Sequence, residues 1–297
     1  MLAAATPPVV VEAPAKINLY LHVVGRRADG YHLLDSLAVF AGIGDTIEAA
    51  PAEALTLSID GPFARELGNE EDNLVLRAAH ALAAASGRPA AARIRLTKRL
   101  PVASGIGGGS ADAAATLHAL ARLWRLDFEP AALAAIGLAL GADVPVCVYG
   151  RSAFFAGIGE VVTPAPTLPP AWLVLVNPGI ALPTPRVFKA RSGGFSGPGR
   201  FAAGPADAAE LAAVLKLRGN DLTEAAVHLA PVIGTVLAEL EALPGALLTR
   251  MSGSGATCFA LFAEQAAAET AAENLRTRQP GWWGAAAPLL ANAPPTG

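Results

Sequence analysis

The most informative segment of the sequence reads PVASGIGGGSAD and runs from position 101 to position 112. It has four glycines within positions 105–109, so its backbone can adopt positive φ angles and approach a ligand closely. The residues that follow, AAATLHAL from position 113, favour a helix. Amide groups that lead into a helix N-terminus form a binding site for anions such as polyphosphate. The alternative is a flexible turn that binds no ligand.

This glycine-rich segment matches neither of the two common phosphate-loop patterns. No Gly-Lys-Ser/Thr follows it, as Walker A requires, and Ser110 stands where G-x-G-x-x-G has its last glycine. A second glycine cluster, MSGSGAT at 251–257, lies between two apolar segments that we expect to be strands. Such a cluster alone is typical of a tight turn. Two such loops in one chain favour a site that binds phosphate from both sides.

The composition excludes several classes of protein. Of the 297 residues 53% are hydrophobic and 16% charged, with a net charge of −3, which argues against disorder and against a nucleic-acid binder. No run of about 18 uninterrupted apolar residues predicts a membrane span. The first residues lack a basic group before Lys16 and make a poor secretory signal. Cys147 and Cys258 have neither a metal-binding spacing nor the pattern of a disulfide framework. Since disulfides are rare in reducing compartments, we expect a cytoplasmic protein.

Mixed strand and helix patterns predict two α+β domains. The proline-rich segment TPAPTLPP at 163–170 suggests the boundary, which gives domains at 1–165 and 166–297.

Within these domains, several shorter segments carry their own predictions. Residues 144–148 and 152–156 are predicted to form a hairpin-like pair of strands, and residues 225–243 a single helix. The Gly/Ser-rich insert at 192–204 has no recognisable motif, and the tail at 293–297 is expected to be frayed.

Three ordered segments resemble the superfamily of galactokinase, homoserine kinase, mevalonate kinase and phosphomevalonate kinase, the GHMP kinases. They are the Pro-Ala-Lys segment that ends at Lys16, the loop at 101–110 and the Gly-Ser-Gly loop within 251–257. The match extends from residue 11 to about residue 262. It implies a two-domain α+β fold, with an N-terminal S5-like domain that contains a left-handed βαβ crossover and a ferredoxin-like C-terminal domain. It also implies ATP-dependent phosphorylation of a small alcohol.

Further motifs narrow the resemblance to members that phosphorylate the 2-hydroxyl of a cytidine diphosphate ester of methylerythritol. The motifs are AKINL at 15–19, RADGYH at 27–32, GADVP at 141–145, VNPG at 176–179 and PTP at 183–185. The resemblance implies ATP and Mg²⁺ as cofactors, a small-molecule substrate, no nucleic-acid or membrane partner, and a monomer or weak homodimer. A homoserine or mevalonate kinase is an alternative that the DGYH run disfavours. A non-catalytic relative should lack Lys16 or Asp143, and both are present.

The resemblance assigns catalysis to Lys16 and Asp143. Asp143 would act as the general base that takes the acceptor's hydroxyl proton, and Lys16 would partner the carboxylate. From the residues alone, Asp143 after Gly141 is more typical of a helix-end cap or a turn than of a catalytic group. Lys16 on the same basis is typical of an ordinary charge at a strand edge. A carboxylate in such an apolar stretch is costly unless it is paired.

The resemblance also assigns the binding residues. ATP would bind the first loop, through Pro101, Val102, Ala103, Ser104, Gly105, Ile106, Gly107, Gly108, Gly109 and Ser110, and the second loop, through Ser252, Gly253, Ser254 and Gly255. The substrate would bind Asn18, Tyr31, His32 and Phe188, with the two aromatic rings around the cytosine and the histidine at its edge. The alternative for these last three is core packing or a turn. No carboxylate cluster predicts a metal cage, so Mg²⁺ would bind through ATP, with Ser110 as a protein ligand.

Two positions depart from the family pattern. Ala103 stands where many relatives have glycine, and Ala111 stands where many have serine. An alanine at 103 is expected to restrict φ there. The missing hydroxyl at 111 makes Ser110 the expected oxygen ligand, and neither departure affects Lys16 or Asp143.

Overall fold

The computed structural model describes residues 7–67 and 73–290. Its first two strands, β1 (Val9–Arg26) and β2 (His32–Ala50), form a long antiparallel pair. The register between them shifts at three points, one of them just before Lys16. Such irregularities bend a strand and change where its side chains point. Strand β1 is buried along most of its length, so Lys16 and the residues beside it lie inside the molecule.

Strand β2 is the central partner of the N-terminal sheet. Opposite β1 it pairs with β4 (Arg93–Thr97) at one end and with β5 (Ala153–Gly157) at the other, and β6 (Val161–Pro164) pairs with β5. Strand β3 (Thr56–Asp60) runs parallel to β4, and helix α1 (Leu74–Ser86) lies between them in the chain. The three elements form a βαβ unit, and its left-handedness stays a prediction.

Alanine-rich helices cover this sheet. Helix α2 (Gly108–Leu123) buries nearly all of its alanines against β1, β2 and α1, because small side chains let a helix approach a sheet closely. Helix α3 (Pro130–Leu138) and helix α4 (Val144–Tyr149) complete the layer. The alanines of this helix are therefore part of the packed core.

The C-terminal half is built on four antiparallel strands in the order β10-β7-β9-β8. Their bounds are β7 (Trp172–Asn177), β8 (Leu248–Met251), β9 (Cys258–Phe262) and β10 (Trp283–Leu290). The helices are α5 (Thr184–Ala190), α6 (Ala208–Lys216), α7 (Thr223–Leu229), α8 (Val232–Glu241) and α9 (Gln265–Arg278). This arrangement confirms the predicted two-domain α+β class.

Strand β10 joins the two halves into one sheet. Its last residues, Leu289 and Leu290, pair with Ala41 and Phe40 of β2, while the rest of the strand pairs with β7. A hydrophobic cluster shared by both halves lies behind this junction and includes residues of β1, β7 and β9. The chain thus returns to its N-terminal sheet at its end, and a domain boundary between residues 165 and 166 stays a prediction.

Two of the predicted elements are wrong. Residues 144–149 form helix α4, not a strand, because Pro145 suits the first turn of a helix and Gly150 closes it with a φ of 65°. The predicted single helix at 225–243 is two helices, α7 and α8. They are separated at Pro231, which lacks the amide hydrogen that a helix interior needs.

The insert at 192–204 is held against β1 and β2 by several hydrogen bonds, among them Ser196 N to Val23 O at 3.0 Å. Within residues 7–67 and 73–290, no helix is long and apolar enough to cross a membrane. The tail at 293–297 lies outside the described residues.

Candidate active site

A buried lysine and a half-exposed aspartate form an ion pair in the N-terminal half. Nζ of Lys16 on β1 lies 2.9 Å from Oδ2 of Asp143, with side-chain exposures of 2% and 35%. Asp143 occupies the N-cap position of α4, yet its side chain makes no capping hydrogen bond. The carboxylate is paired with the ammonium, so its environment differs from the helix-cap alternative.

Asn18 fixes the lysine from the other side. Nζ of Lys16 donates to Oδ1 of Asn18 at 2.7 Å, and Nδ2 of Asn18 donates to Oγ of Ser36 at 2.8 Å. Ser36 in turn donates to the backbone oxygen of Tyr20 at 2.5 Å. The chain of bonds determines which face of the Asn18 amide accepts from Lys16. Asn18 therefore contacts the catalytic candidate directly.

The two glycine loops lie against each other. Oγ of Ser252 accepts from the backbone N–H of Asn18 and donates to the backbone oxygen of Gly105, both at 3.1 Å. Thr257 N donates to Ser104 O at 3.0 Å. A Cβ at Gly105 would lie 2.5 Å from the backbone oxygen of Gly255, so only glycine fits there. The second loop is thus joined to the first through the backbone.

Both loops open onto one cavity of about 790 Å³. Lys16, Asn18 and Asp143 line it, as does helix α2, which begins at Gly108 within the predicted loop. The predicted loop residues on its wall are Pro101, Val102, Ala103, Ser104, Gly105, Gly107, Gly108, Gly109, Ser110, Gly253 and Ser254, and Phe188 lines it as well. Three predicted loop residues do not line it: Ile106 packs in the shared core, Ser252 bonds the two loops together, and Gly255 lies against Gly105.

Ala103 does not restrict its backbone as predicted. It has a φ of 50°, in the left-handed region that alanine disfavours. Its exposed position in the loop leaves room for this conformation, and the surrounding glycines take up the rest of the turn. The loop therefore holds an alanine at a positive φ.

A second buried cluster, which the sequence did not predict, lies beneath the first glycine loop. Nζ of Lys98 lies 2.5 Å from Oδ2 of Asp45 and 2.7 Å from Oδ2 of Asp112, and all three side chains are at most 4% exposed. Asp45 also accepts from the backbone N–H groups of Arg99 and Leu100. Oδ1 of Asp112 has no hydrogen-bond partner among the described residues. The alternation in ARIRLTK carried the signal, because it places position 98 on the inward face with 94 and 96.

Burial changes the protonation of this cluster. It raises the pKa of Asp112 to about 7; Lys98 opposes the rise, and Asp45 adds to it. Burial alone would lower the pKa of Lys98, but Asp112 and Asp45 outweigh it, so that pKa is raised. The lysine therefore remains charged, and the carboxyl group of Asp112 takes up a proton near neutral pH.

A second cavity of about 740 Å³ adjoins the first. The two share wall residues Leu34, Ala142, Thr184 and Phe188. Tyr31 and His32 line the second cavity, where the rings of His32 and Phe188 stack with centroids 5.2 Å apart. Burial lowers the pKa of His32, and the charges of Arg26 and Arg191 lower it further. The structure thus brings together three of the four predicted substrate residues, with His32 as a neutral ring near pH 7.

The fold and the two loops define a class of protein, and the family comparison agrees with that class. Residues 73–151 match the family model "GHMP kinases N terminal domain", and residues 203–281 match "GHMP kinases C terminal". The chain belongs to the GHMP kinases and is an ATP-dependent kinase that acts on a small molecule.

Its similarity to particular relatives is high. The chain is 58% identical to a 4-diphosphocytidyl-2-C-methyl-D-erythritol kinase from Paramagnetospirillum magneticum, over 94% of this chain and 98% of that protein. A protein of the same name from Rhodospirillum rubrum is 55% identical over 96% and 94% of the two chains. A crystal structure of 4-(cytidine 5'-diphospho)-2C-methyl-D-erythritol kinase superposes with a TM-score of 0.74 at 36% identity, over 94% and 98%. A homoserine kinase from Cytophaga hutchinsonii, at 17% identity and a TM-score of 0.73, shares the fold.

Proposed function

We propose that this kinase transfers the γ-phosphoryl group of ATP to the 2-hydroxyl of 4-diphosphocytidyl-2-C-methyl-D-erythritol, a step in the non-mevalonate route to isoprenoid precursors. Relatives with that name support the proposal along almost the whole chain. The observation that carries it is the junction of the two cavities at Ala142, next to Asp143. A substrate with a nucleotide at one end and a reacting alcohol at the other would extend across both.

In the proposed reaction Asp143 takes the proton from the substrate's hydroxyl. The oxygen forms a bond to the γ-phosphorus as the bond from that phosphorus to the bridging oxygen of ADP breaks. Lys16, 2.9 Å from the carboxylate, orients it and offsets the negative charge that the transfer brings together. Asn18 holds the ammonium in this position. Phosphoryl transfer depends mostly on positioning and electrostatics, and both are properties of this pair.

The glycine loops would hold the triphosphate. Amide groups at the N-terminus of α2 provide donors and the positive end of a helix dipole. Ser254 of the second loop is hydrogen-bonded to Thr184 at 2.8 Å, so two hydroxyls lie together on the cavity wall. Thr184 was not among the predicted site residues, although it lies in the PTP motif.

Mg²⁺ fits this cavity as a cation held mainly by ATP. The described residues contain no group of three or more His, Cys, Asp or Glu side chains that could hold a metal. Mg²⁺ commonly binds one or two carboxylates together with substrate phosphates and water. Asp143 and Ser110 line the wall and offer a carboxylate oxygen and a hydroxyl oxygen. These residues would hold the cation, which when bound neutralises charge on the phosphates.

Turnover with a panel of acceptors tests the proposal. The protein is incubated with ATP, Mg²⁺ and either the cytidine diphosphate ester, homoserine or mevalonate, and ADP release is followed. We expect turnover with the cytidine diphosphate ester alone. Turnover with homoserine or mevalonate and none with the ester would sink the substrate assignment. ATP binding without turnover of any acceptor would indicate a non-catalytic relative.

A further inference from the structure

The second cavity carries more positive than negative charge. Arg26, Lys189 and Arg191 lie on its wall, and Asp29 is the carboxylate there. Asp29 is already paired with Arg27 at 2.8 Å, so it does not neutralise the other cations. A cavity of this kind favours an anionic ligand.

Arg191 differs from the other two cations because it is buried. Its side chain is 7% exposed, and it lies immediately after α5 with its guanidinium over the ring of Phe195, 5.6 Å from the centroid. Nη2 donates to Gly194 O, and Asp221 is 4.0 Å away. Nε has no acceptor among the described residues. A buried donor left unpaired destabilises the protein, and a ligand that accepts a hydrogen bond from it would remove that cost.

The insert at 192–204 keeps Arg191 in this position. Downstream of Phe195, Gly199 N donates to Oδ2 of Asp35 at 2.7 Å and Nε of Arg200 donates to Oδ1 at 2.8 Å. Asp35 is itself buried and accepts from the hydroxyl of Tyr20 at 2.8 Å. The insert is therefore joined to the β1–β2 pair at its far end and to Arg191 at its near end. A side chain held in one conformation loses little entropy when it binds.

We infer that Arg191 binds the diphosphate of the nucleotide substrate, with the insert as the support that orients its guanidinium. The inference rests on the proposed function, because it identifies a further ligand of the same substrate. Arginine suits the role, since its planar fork donates to phosphate oxygens in pairs and stays charged. The effect of its charge on the pKa of His32 indicates that the charge acts within the cavity.

Two ligands that differ only in phosphate test the inference. CDP and cytidine are titrated by calorimetry into the wild type and the variants Arg191→Gln, Arg191→Lys and Arg186→Gln, with a non-hydrolysable ATP analogue saturating the first cavity. Arg186 is the matched control, an exposed arginine on α5 that does not line either cavity.

We expect Arg191→Gln to weaken CDP binding about 10- to 100-fold and cytidine binding by less than about twofold, with Arg186→Gln unchanged. Arg191→Lys keeps the charge without the fork and should fall in between. Equal losses for CDP and cytidine would indicate a structural role and overturn the inference, as would unchanged CDP binding.

Thermal unfolding checks each variant, and if Arg191→Gln does not fold, the lysine variant decides by the same two criteria. Turnover of the cytidine diphosphate ester by the wild type separates the two proposals. Its absence refutes the proposed function, whereas turnover combined with an unaltered CDP affinity in the Arg191 variants refutes only the role of Arg191.

Discussion

Two buried lysines lie beneath the first glycine loop, and each is paired with at least one carboxylate group. Lys16 pairs with Asp143, which is 35% exposed and opens onto the cavity. Lys98 pairs with Asp45 and Asp112, which are almost fully buried. Gly107 and Gly108 separate the clusters: a Cβ at the first would lie 2.9 Å from Cε of Lys16, and at the second 3.2 Å from Nζ of Lys98.

The difference between the two clusters is access. A carboxylate that reaches solvent can exchange a proton with a substrate, whereas a carboxylate that is almost fully buried and paired acts mainly on the stability of the fold. The comparison predicts that substitutions in the first cluster change turnover and that substitutions in the second change stability.

The largest effect is expected for Asp143→Asn. Loss of the general base should lower kcat by about 10²- to 10⁴-fold, because the amide cannot take the hydroxyl proton. The urea midpoint should change little, since the side chain is partly exposed and makes no helix cap. Steady-state kinetics measure kcat, urea denaturation measures the midpoint, and an ATP titration checks that the nucleotide still binds. Near wild-type kcat with intact ATP binding would break the comparison at its first cluster.

Lys98→Met should act on stability. It leaves two buried carboxyl groups without their shared cation, which costs about 3–5 kcal/mol in the free energy of unfolding. Urea denaturation measures the loss, with Lys216→Met as the control at an exposed lysine at the end of α6. A loss no larger than that of the control would show that the second cluster is not needed for the fold.

Asp112→Asn should change how the stability of the protein depends on pH, because it removes the titrating carboxyl group of the buried cluster. The pKa of Asp112 is raised from 3.8 to about 7, so between these values the folded protein holds a proton that the unfolded chain has released. The wild type therefore loses stability from this group as pH rises from about 4 to 7, and the neutral amide does not.

Denaturation of both proteins at pH 5 and pH 8 tests this expectation. The variant should gain on the order of 1 kcal/mol or more relative to the wild type at the higher pH. A difference between the two proteins that is the same at both pH values would contradict the raised pKa.

The smallest effect is expected in the loop that covers both clusters. Ala103→Gly relieves a left-handed φ of 50° and should stabilise the protein by up to about 1 kcal/mol. Both lysines keep their contacts, so kcat should stay within about twofold of the wild type, a change of less than about 0.5 kcal/mol. Thermal unfolding and kinetics measure the two quantities, and a destabilised variant would mean that the loop does not require this backbone conformation.

The elements that the sequence predicted well are those with strong local signals. The glycine loop and the alanine run after it predicted a loop that leads into a helix, and α2 begins at Gly108. Predictions failed where a local pattern has two solutions. The short apolar run at 144–148 suits a strand or a buried helix, and only Pro145 near its start and Gly150 after its end distinguish them.

The site shows the same division. Lys16 and Asp143 are 127 positions apart in the chain, and only the resemblance to GHMP kinases suggested that they meet. For Lys98, the alternation of apolar and basic residues in ARIRLTK at 92–98 indicates an inward face but not the partners of the side chain. Its partners Asp45 and Asp112 come from a different strand and from a helix. The second buried cluster therefore exists only after β2, β4 and α2 have packed together.

The sequence by itself determined the glycine loops, the helix behind the first of them, and the membership of a kinase class that their order along the chain indicates. These are local, because backbone freedom and helix propensity depend on neighbouring residues. The tertiary structure alone decided which charged side chains are exposed and which are buried. It also decided that β10 returns to the N-terminal sheet and that the side chain of Arg191 is buried beside the second cavity. Those depend on burial and on contacts between distant segments, which no local pattern encodes.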